Sequence, residues 1–368
     1  MSYQDPDLIY QLALTDVPYI GYVQAKLLVE QFGSAEAVFR APPGLLEKIS
    51  NMGAARAASI KRFRDFRAAE EEIKFITKYK IEPLFLTNSR YPKQLLNCDD
   101  APTMLYYRGN ADPSASRMIS IVGTRSGTDY GKRITDKMVQ ALAGYGVTIV
   151  SGLAFGIDAW AHKAAIKYDI PTIGVLAHGL DTIYPPEHTP LARNMLKNGG
   201  LLSEFRSNTK PDRYNFPSRN RIVAGMCEAL IVIETGTKGG SLITADLALG
   251  YCRDVFAFPG KITDTRSQGC NKLIAINAAA LLTEPEQFIE AMGWNDKQKK
   301  QPQPKELFDN LTENEQKIVD MLKETAPMHI DELKVRSGLS AGTTASVILA
   351  LELRSIITTL PGKRLNLL

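Results

Sequence analysis

Apolar and polar positions divide this chain into stretches of different period. From residue 8 to about 70 they read as short helices. Two of these are entered through similar apolar-glycine turns, Val17-Pro18-Tyr19-Ile20-Gly21 before a helix from Tyr22 and Ile49-Ser50-Asn51-Met52-Gly53 before a helix from Ala54. Glycine there lets the chain turn tightly and leaves the first amides of each helix free. From about 76 to 293 the pattern becomes short β-branched runs alternating with helical ones. Ile119-Ser120-Ile121-Val122-Gly123, Val147-Thr148-Ile149-Val150, Thr172-Ile173-Gly174-Val175-Leu176, Leu201-Leu202-Ser203, Ala229-Leu230-Ile231-Val232-Ile233 and Asp254-Val255-Phe256-Ala257-Phe258 read as buried strands. Such alternation predicts an α/β core, a Rossmann-like doubly wound parallel sheet covered by helices on both faces.

Beyond this core, residues 294–305 are polar, rich in lysine and without apolar periodicity, as in a linker. Residues 306–368 then read as a winged helix. Thr312 caps a helix through Met321, His329 to Arg336 makes a second, Gly338 turns the chain, Ser340 caps a third, and Ile356 to Leu367 forms a hairpin turning at Pro361-Gly362. Acidic side chains outnumber basic ones here, and the third helix offers Thr343, Thr344 and Ser346 but no base before Arg354. That balance favours an interdomain or protein–protein role for the wing over duplex reading. The expected organisation is a helical module over 1–75, the core over 76–293, the linker and the winged helix.

The 368 residues and 44% hydrophobic composition suffice for two or three domains with full cores. A net charge of only +4 gives no global basic field, so any contact with nucleic acid must come from local patches. Cys98, Cys227, Cys252 and Cys270 are scattered and unaccompanied by clustered histidines, which suggests neither disulfides nor a metal site and fits a reducing cytoplasm. No leader pattern and no apolar run of membrane-spanning length is present.

Candidate chemistry sits in the loops that follow strands, where such sheets bind ligands. Gly123-Thr124-Arg125-Ser126-Gly127-Thr128-Asp129-Tyr130-Gly131 combines glycines, a helix start and a cation, which suits a phosphate, although its spacing is neither a dinucleotide fingerprint nor a Walker loop. Ser151-Gly152-Leu153-Ala154-Phe155-Gly156-Ile157-Asp158 again runs into a helix, and Asp158 and His162 share a helical face. They read as a catalytic pair or, by preference, as a carboxylate stabilising its helix and a structural histidine. Glu234-Thr235-Gly236-Thr237-Lys238-Gly239-Gly240-Ser241 is the third such loop. The fourth feature is Phe216-Pro217-Ser218-Arg219-Asn220-Arg221, with Arg206, Lys210, Arg213 and Tyr214 nearby. Its aromatic ring can stack on a base and its guanidinium groups can grip phosphate. The competing reading is a loop with Phe216 buried and its arginines paired to acids.

These motifs in order, joined by Ala161-His162, Tyr184-Pro185, Ser203-Glu204, Ser241-Leu242-Ile243-Thr244-Ala245, Phe258-Pro259-Gly260 and Gly269-Cys270-Asn271-Lys272-Leu273-Ile274, resemble the signature of the DNA-processing protein A (DprA/Smf) family from about 80 to 290. The glycine turns of the first stretch resemble a pair of helix-hairpin-helix motifs, whose amides hold DNA phosphate; a plain packing module is the alternative. The resemblance implies a non-enzymatic, cytoplasmic protein that binds single-stranded DNA, forms a homodimer through the Rossmann-like domain and loads the RecA recombinase in natural transformation, with no cofactor or metal. It places Gly123, Thr124, Arg125, Phe216, Arg219, Asn220, Arg221, Lys238 and Ser241 in the DNA pocket. Two positions depart from the pattern: Gly239 stands where many members have serine, and Asn277 where a Gly-Ala pair is usual. A nucleotide hydrolase is the rival, but it would need a catalytic glutamate after the glycine-rich turn, and no carboxylate follows until Asp246.

Overall fold

The computed structural model of the chain describes residues 6–294, 311–354, 356–360 and 364–367; most of the linker and the Pro361-Gly362 turn lie outside the described residues. Two compact units result, one through residue 295 and one from 296.

Nine strands form the sheet of the first unit: β1 (Glu82–Phe85), β2 (Met104–Gly109), β3 (Met118–Val122), β4 (Thr148–Ser151), β5 (Thr172–Leu176), β6 (Gly199–Ser203), β7 (Ala229–Val232), β8 (Asp254–Ala257) and β9 (Ala280–Leu281). Their order is β1-β2-β6-β5-β4-β3-β7-β8-β9. The pairs from β6 to β9 are parallel, while β1 with β2 and β2 with β6 are antiparallel. β3 lies between β4 and β7, with Ser120 opposite Val150 on one side and Leu230 on the other.

Successive strand residues serve opposite faces, as the period of two requires. Ile119, Ile121, Ile149 and Ile231 pack against Met138, Val139, Ile157, Ala161 and Phe288, on helices Asp129–Ala141, Ile157–Lys167 and the Pro285–Ala291 segment, and against Trp294 just beyond that segment. Val122, Val150, Ile173 and Val232 pack against Ile222, Val223, Ala245, Ala248 and Leu273, on helices Asn215–Met226, Gly240–Gly250 and Gln268–Ala275. Both faces are therefore covered, and the central strands read as unbroken apolar runs for that reason.

Six helices from Leu8–Leu14 to Arg67–Tyr79 precede the sheet. Their core of Leu12, Leu28, Val38, Leu46, Ile60 and Ile76 merges with Phe85, Met104 and Tyr106 of β1 and β2. Polar ties reinforce the join. Arg206 donates to Asp16 at 2.7 Å and to the Leu12 carbonyl at 2.6 Å, while Ser207 donates to Glu72 through Oγ at 2.5 Å. Arg221, expected at a DNA phosphate, belongs to this join instead. It is 6% exposed, ion-paired with Glu204, donates to the Asp100 carbonyl and lies 4.3 Å from the Tyr22 ring centroid. Burial pushes the Glu204 carboxyl above its usual range against the pull of Arg221, so the pair is a positional lock more than a source of net stability.

Phe216 to Arg221, expected as a loop, forms the first turns of helix Asn215–Met226. Pro217 fits because its missing N–H falls in the first turn, where no intrahelical partner exists. Asn277, the second departure from the family pattern, takes a left-handed φ of 56° just past helix Gln268–Ala275. Asparagine can replace glycine in that role.

The second unit has the expected helices Glu313–Glu324, Ile330–Ser337 and Ala341–Leu353. Thr312 and Glu315 make a capping box, and the Ser340 side chain accepts from the Thr343 amide. Its hairpin, β11 (Ile357–Leu360) with β12 (Arg364–Leu367), gains a third strand, β10 (Met328–His329), which pairs with β12. No described helix is long and apolar enough to cross a membrane.

Two outcomes are expected. Glu204→Ala should lower unfolding free energy by about 3 kcal/mol, because a buried guanidinium loses its partner, and a denaturant midpoint equal to that of the parent would refute the lock. His162 is fully buried, with Nδ1 2.7 Å from Thr172 Oγ1 and Nε2 unpartnered, and burial holds its pKa down to about 3. Between pH 3 and 6.5 the unfolded chain binds the proton that the folded chain refuses, so stability falls as pH is lowered through that window, by about 2 kcal/mol from this residue at pH 5. His162→Gln should flatten the pH dependence of the urea midpoint; unchanged slopes would count against it.

Candidate nucleic-acid interface

The strand order reverses between β3 and β7, so their following loops separate and leave a crevice at the carboxyl ends of the strands. A cleft of about 550 Å³ occupies it. Its walls come from four strand ends: Gly123 to Ser126 after β3, Gly152, Ala154 and Asp158 after β4, Thr235, Gly236 and Lys238 to Ser241 after β7, and Thr265 and Arg266 after β8. Arg219 and Asn220 complete it from helix Asn215–Met226.

Glu234 holds the first of these loops in shape. Fully buried, it accepts from Thr128 N at 2.9 Å and Thr128 Oγ1 at 2.5 Å, and its carbonyl accepts from Thr124 N at 2.7 Å. Thr128 in turn caps helix Asp129–Ala141 by accepting from Gly131 N. With both carboxylate oxygens so engaged, Glu234 serves as a brace and is poorly placed for the proton transfers of a hydrolase. The second loop crosses close beneath the first at Gly156, whose φ of 76° suits glycine and where a side chain would collide with the Thr124 and Arg125 carbonyls.

Arg219 borders the cleft yet is only 5% exposed. Its guanidinium donates to the Gly152 carbonyl and, at 2.6 Å, to that of Val175. Burial lowers its pKa while Asp158 opposes the shift. Asp158, raised by burial and restrained by Arg219 and loop amides, receives Ala154 N at 3.4 Å. Arg219 and Asp158 thus fix the ends of β4 and β5; Nη1 of Arg219, expected at a DNA phosphate, donates to those two backbone carbonyls and Nε to Asn220 Oδ1 at 3.2 Å. His162 is a core side chain that is paired at Nδ1 but buried without a partner at Nε2, so the expected satisfied histidine is met at one nitrogen only.

Arg125 and Lys238 do present their charge. Both are exposed on the cleft, as is Arg266, which the sequence reading missed. Among the described residues none of the three has a carboxylate within ion-pair distance. Arg266 lies in a loop after a strand, the same positional rule that found the others. Ser241 lines the cleft but donates its hydroxyl to Thr235 Oγ1 at 2.7 Å, and Asn220 reaches the Gly240 carbonyl at 3.4 Å. Gly239 has extended backbone that any residue could adopt, but a Cβ there would come within 2.7 Å of Thr235 Oγ1. A serine at 239 would therefore have to displace the hydroxyl that receives Ser241.

Phe216 is half-buried at the edge of the cleft, with the Arg125 guanidinium 5.1 Å from its ring centroid and Tyr184 at 6.1 Å. Tyr184 and Phe155, exposed by 48% and 47%, extend an aromatic rim that sequence alone did not assemble. Of the cations near the fragment, Arg206 is committed to the helical module and Arg213 lies over its neighbour Tyr214.

Residues 82–293 match the family described as DNA recombination-mediator protein A, residues 299–363 the DprA winged helix domain, and residues 12–64 the SAM-like helix-hairpin-helix tandem. Protein Smf of Synechocystis sp. is 33% identical over 391 residues, which span 96% of this chain and 97% of the relative. DNA processing protein DprA of Bacillus subtilis is 42% identical over 211 residues, 57% of this chain and 71% of its own length. The X-ray structure of DprA from Streptococcus pneumoniae aligns with a TM-score of 0.63 at 31% identity, covering 77% of this chain and 97% of that one. DprA from Helicobacter pylori, a structure described for its single-stranded DNA binding mode, aligns at 0.54 and 29% identity over 58% of this chain and 96% of its own. On fold, sequence and domain order together, the chain belongs to the DprA/Smf family.

Proposed function

We propose that this protein binds single-stranded DNA in the cleft between β3 and β7, protects incoming strands in the cytoplasm during natural transformation, and delivers them to the RecA recombinase without acting as an enzyme. The observation that carries the reading is the pairing of three cations without carboxylate partners, Arg125, Lys238 and Arg266, on the cleft with Phe216, Tyr184 and Phe155 around an adjoining pocket that shares Arg125, Gly152, Ala154 and Arg219 with it. Cations track a phosphate backbone and rings accept bases of any identity, the combination expected for sequence-tolerant single-strand binding. Gly123 and Thr124 set the backbone of the first loop, and Asn220 and Ser241 shape the floor. The described binding mode of the H. pylori relative supports the same ligand class.

A homodimer through the Rossmann-like unit is part of the proposal. Leu249, Ile276 and Leu281 are exposed apolar side chains near the β8–β9 edge of the sheet, and an open edge of this kind invites pairing.

Titration of labelled oligonucleotides at two salt concentrations tests the cleft. Single strands should bind more tightly than duplex, with affinity falling as salt rises; equal or absent affinity for both would reject the reading. Arg125→Ala should weaken binding to all sequences alike and lower the salt slope by about 0.7. Phe216→Ala should cost about 1–3 kcal/mol with little change in salt slope. Normal binding by both variants would relocate the site. Pull-down of RecA by the full chain, with and without DNA, checks the handover.

A further inference from the structure

We propose that a strand held in the cleft continues into a second, basic groove between helices Asp129–Ala141 and Ile157–Lys167, with Trp160 as a stacking post at its entrance. The inference rests on the cleft reading above. The groove encloses about 620 Å³. One wall is the stripe 129, 132, 133, 136, 137, 140 of the first helix, the other the stripe 160, 163, 164, 167 of the second. These spacings each mark a single helical face.

On most two-helix seams that face is apolar and covered; here it is charged and open. Lys132, Arg133 and Lys163 are exposed and, among the described residues, have no carboxylate partner. The other two cations are committed, Lys137 to Glu284 and Lys167 to Asp136 at 2.9 Å. Asp136 is thereby neutralised, and Asp129 sits in the first turn of its helix, where a carboxylate complements the helix dipole. Three free cations therefore face a shared trough that has one uncommitted acid.

The trough and the cleft are joined by one loop, residues 125–129. Arg125 and Ser126 line the cleft, Gly127 abuts the Trp160 indole so closely that a side chain there would strike the ring, and Asp129 opens the groove. Trp160 is half-buried, fixed on one side by this contact and open to the groove. An aromatic ring beside cations is a base-and-phosphate pattern, and it stands a few residues from the last cation of the cleft. From Asp129 to Gln140 the helix rises about 16 Å, room for roughly three to five nucleotides at the stacked spacing of 3.4 Å. A polyanion leaving the cleft past Arg125 meets this surface next. Charge and aromatic ring together favour a nucleic-acid strand, whose phosphates and bases use both, over an acidic protein, which would use the cations alone.

The test compares oligothymidines of about 6 and about 24 nucleotides on the full chain by fluorescence anisotropy. The variant K132Q/R133Q/K163Q alters only exposed side chains. It should bind the long strand about tenfold more weakly, lower its salt slope by about 2, and bind the short strand within about twofold of the parent. In a W294F background, which leaves Trp160 as the sole indole, the long strand should quench fluorescence and the short one should not. Parent-like affinity and slope for the long strand would overturn the groove, as would an equal loss for both lengths or quenching that ignores length. Arg125→Ala separates the two readings. It should weaken both lengths; if it weakens neither, the cleft reading fails, and with it a path that begins there.

Discussion

Parallel pairing of β3 with both β4 and β7 constrains almost everything else in the first unit. Right-handed crossovers leave β3 in one direction toward β4, β5 and β6, and re-enter beside it from the other direction toward β8 and β9. Loops on either side of that reversal must diverge, so an open crevice at the carboxyl ends is a geometric necessity, whatever residues line it. The protein fills the crevice rim with short glycine-bearing turns and helix starts, then stiffens them from below. Glu234 bridges the reversal itself, reaching from the end of β7 to the cap of the helix after β3.

The same economy explains the two arginines of the Phe216–Arg221 helix. Helix Asn215–Met226 packs on the sheet with one end at the crevice, so Phe216 and Arg219, three apart, share the side that faces it, while Arg221, two positions further on, turns away. Phe216 meets the cleft edge, Arg219 points beneath it into the ends of β4 and β5, and Arg221 points toward the helical module. A buried guanidinium is tolerated because carbonyls and a carboxylate receive its hydrogen bonds. These residues act on any ligand through the loops they hold, while among the described residues no carboxylate lies within ion-pair distance of Arg125, Lys238 or Arg266.

The helical module is likewise more than an appendage in space. Its apolar core runs into β1 and β2, and Tyr22 stands over Arg221, so the module and the helix that carries Phe216 share one network. Antiparallel β1 and β2 extend the sheet on that side and supply the apolar surface on which the module rests.

Local pattern made the core legible. Six runs of β-branched residues alternating with helical periods are compatible with one architecture, and each strand appeared within about two residues of its expected place, because strands buried on both faces must be continuously apolar. Capping residues such as Thr312 and Ser340 announced the winged helix for an equally local reason, since an N-cap satisfies amides a few positions away. Four strands lay outside the expected runs: β1 and β2, which join the sheet antiparallel at one edge, and β9 and β10, whose two residues carry no period. What the sequence by itself determined was therefore the fold class and the loops that would meet at one sheet edge. Which cations face that edge was decided only by tertiary structure: Arg219, Arg221 and Arg266 are the same residue type, and only groups brought from elsewhere in the chain, the Gly152 and Val175 carbonyls with Asp158 for the first and Glu204 for the second, hold those two inward, whereas Arg266 stands exposed on the cleft.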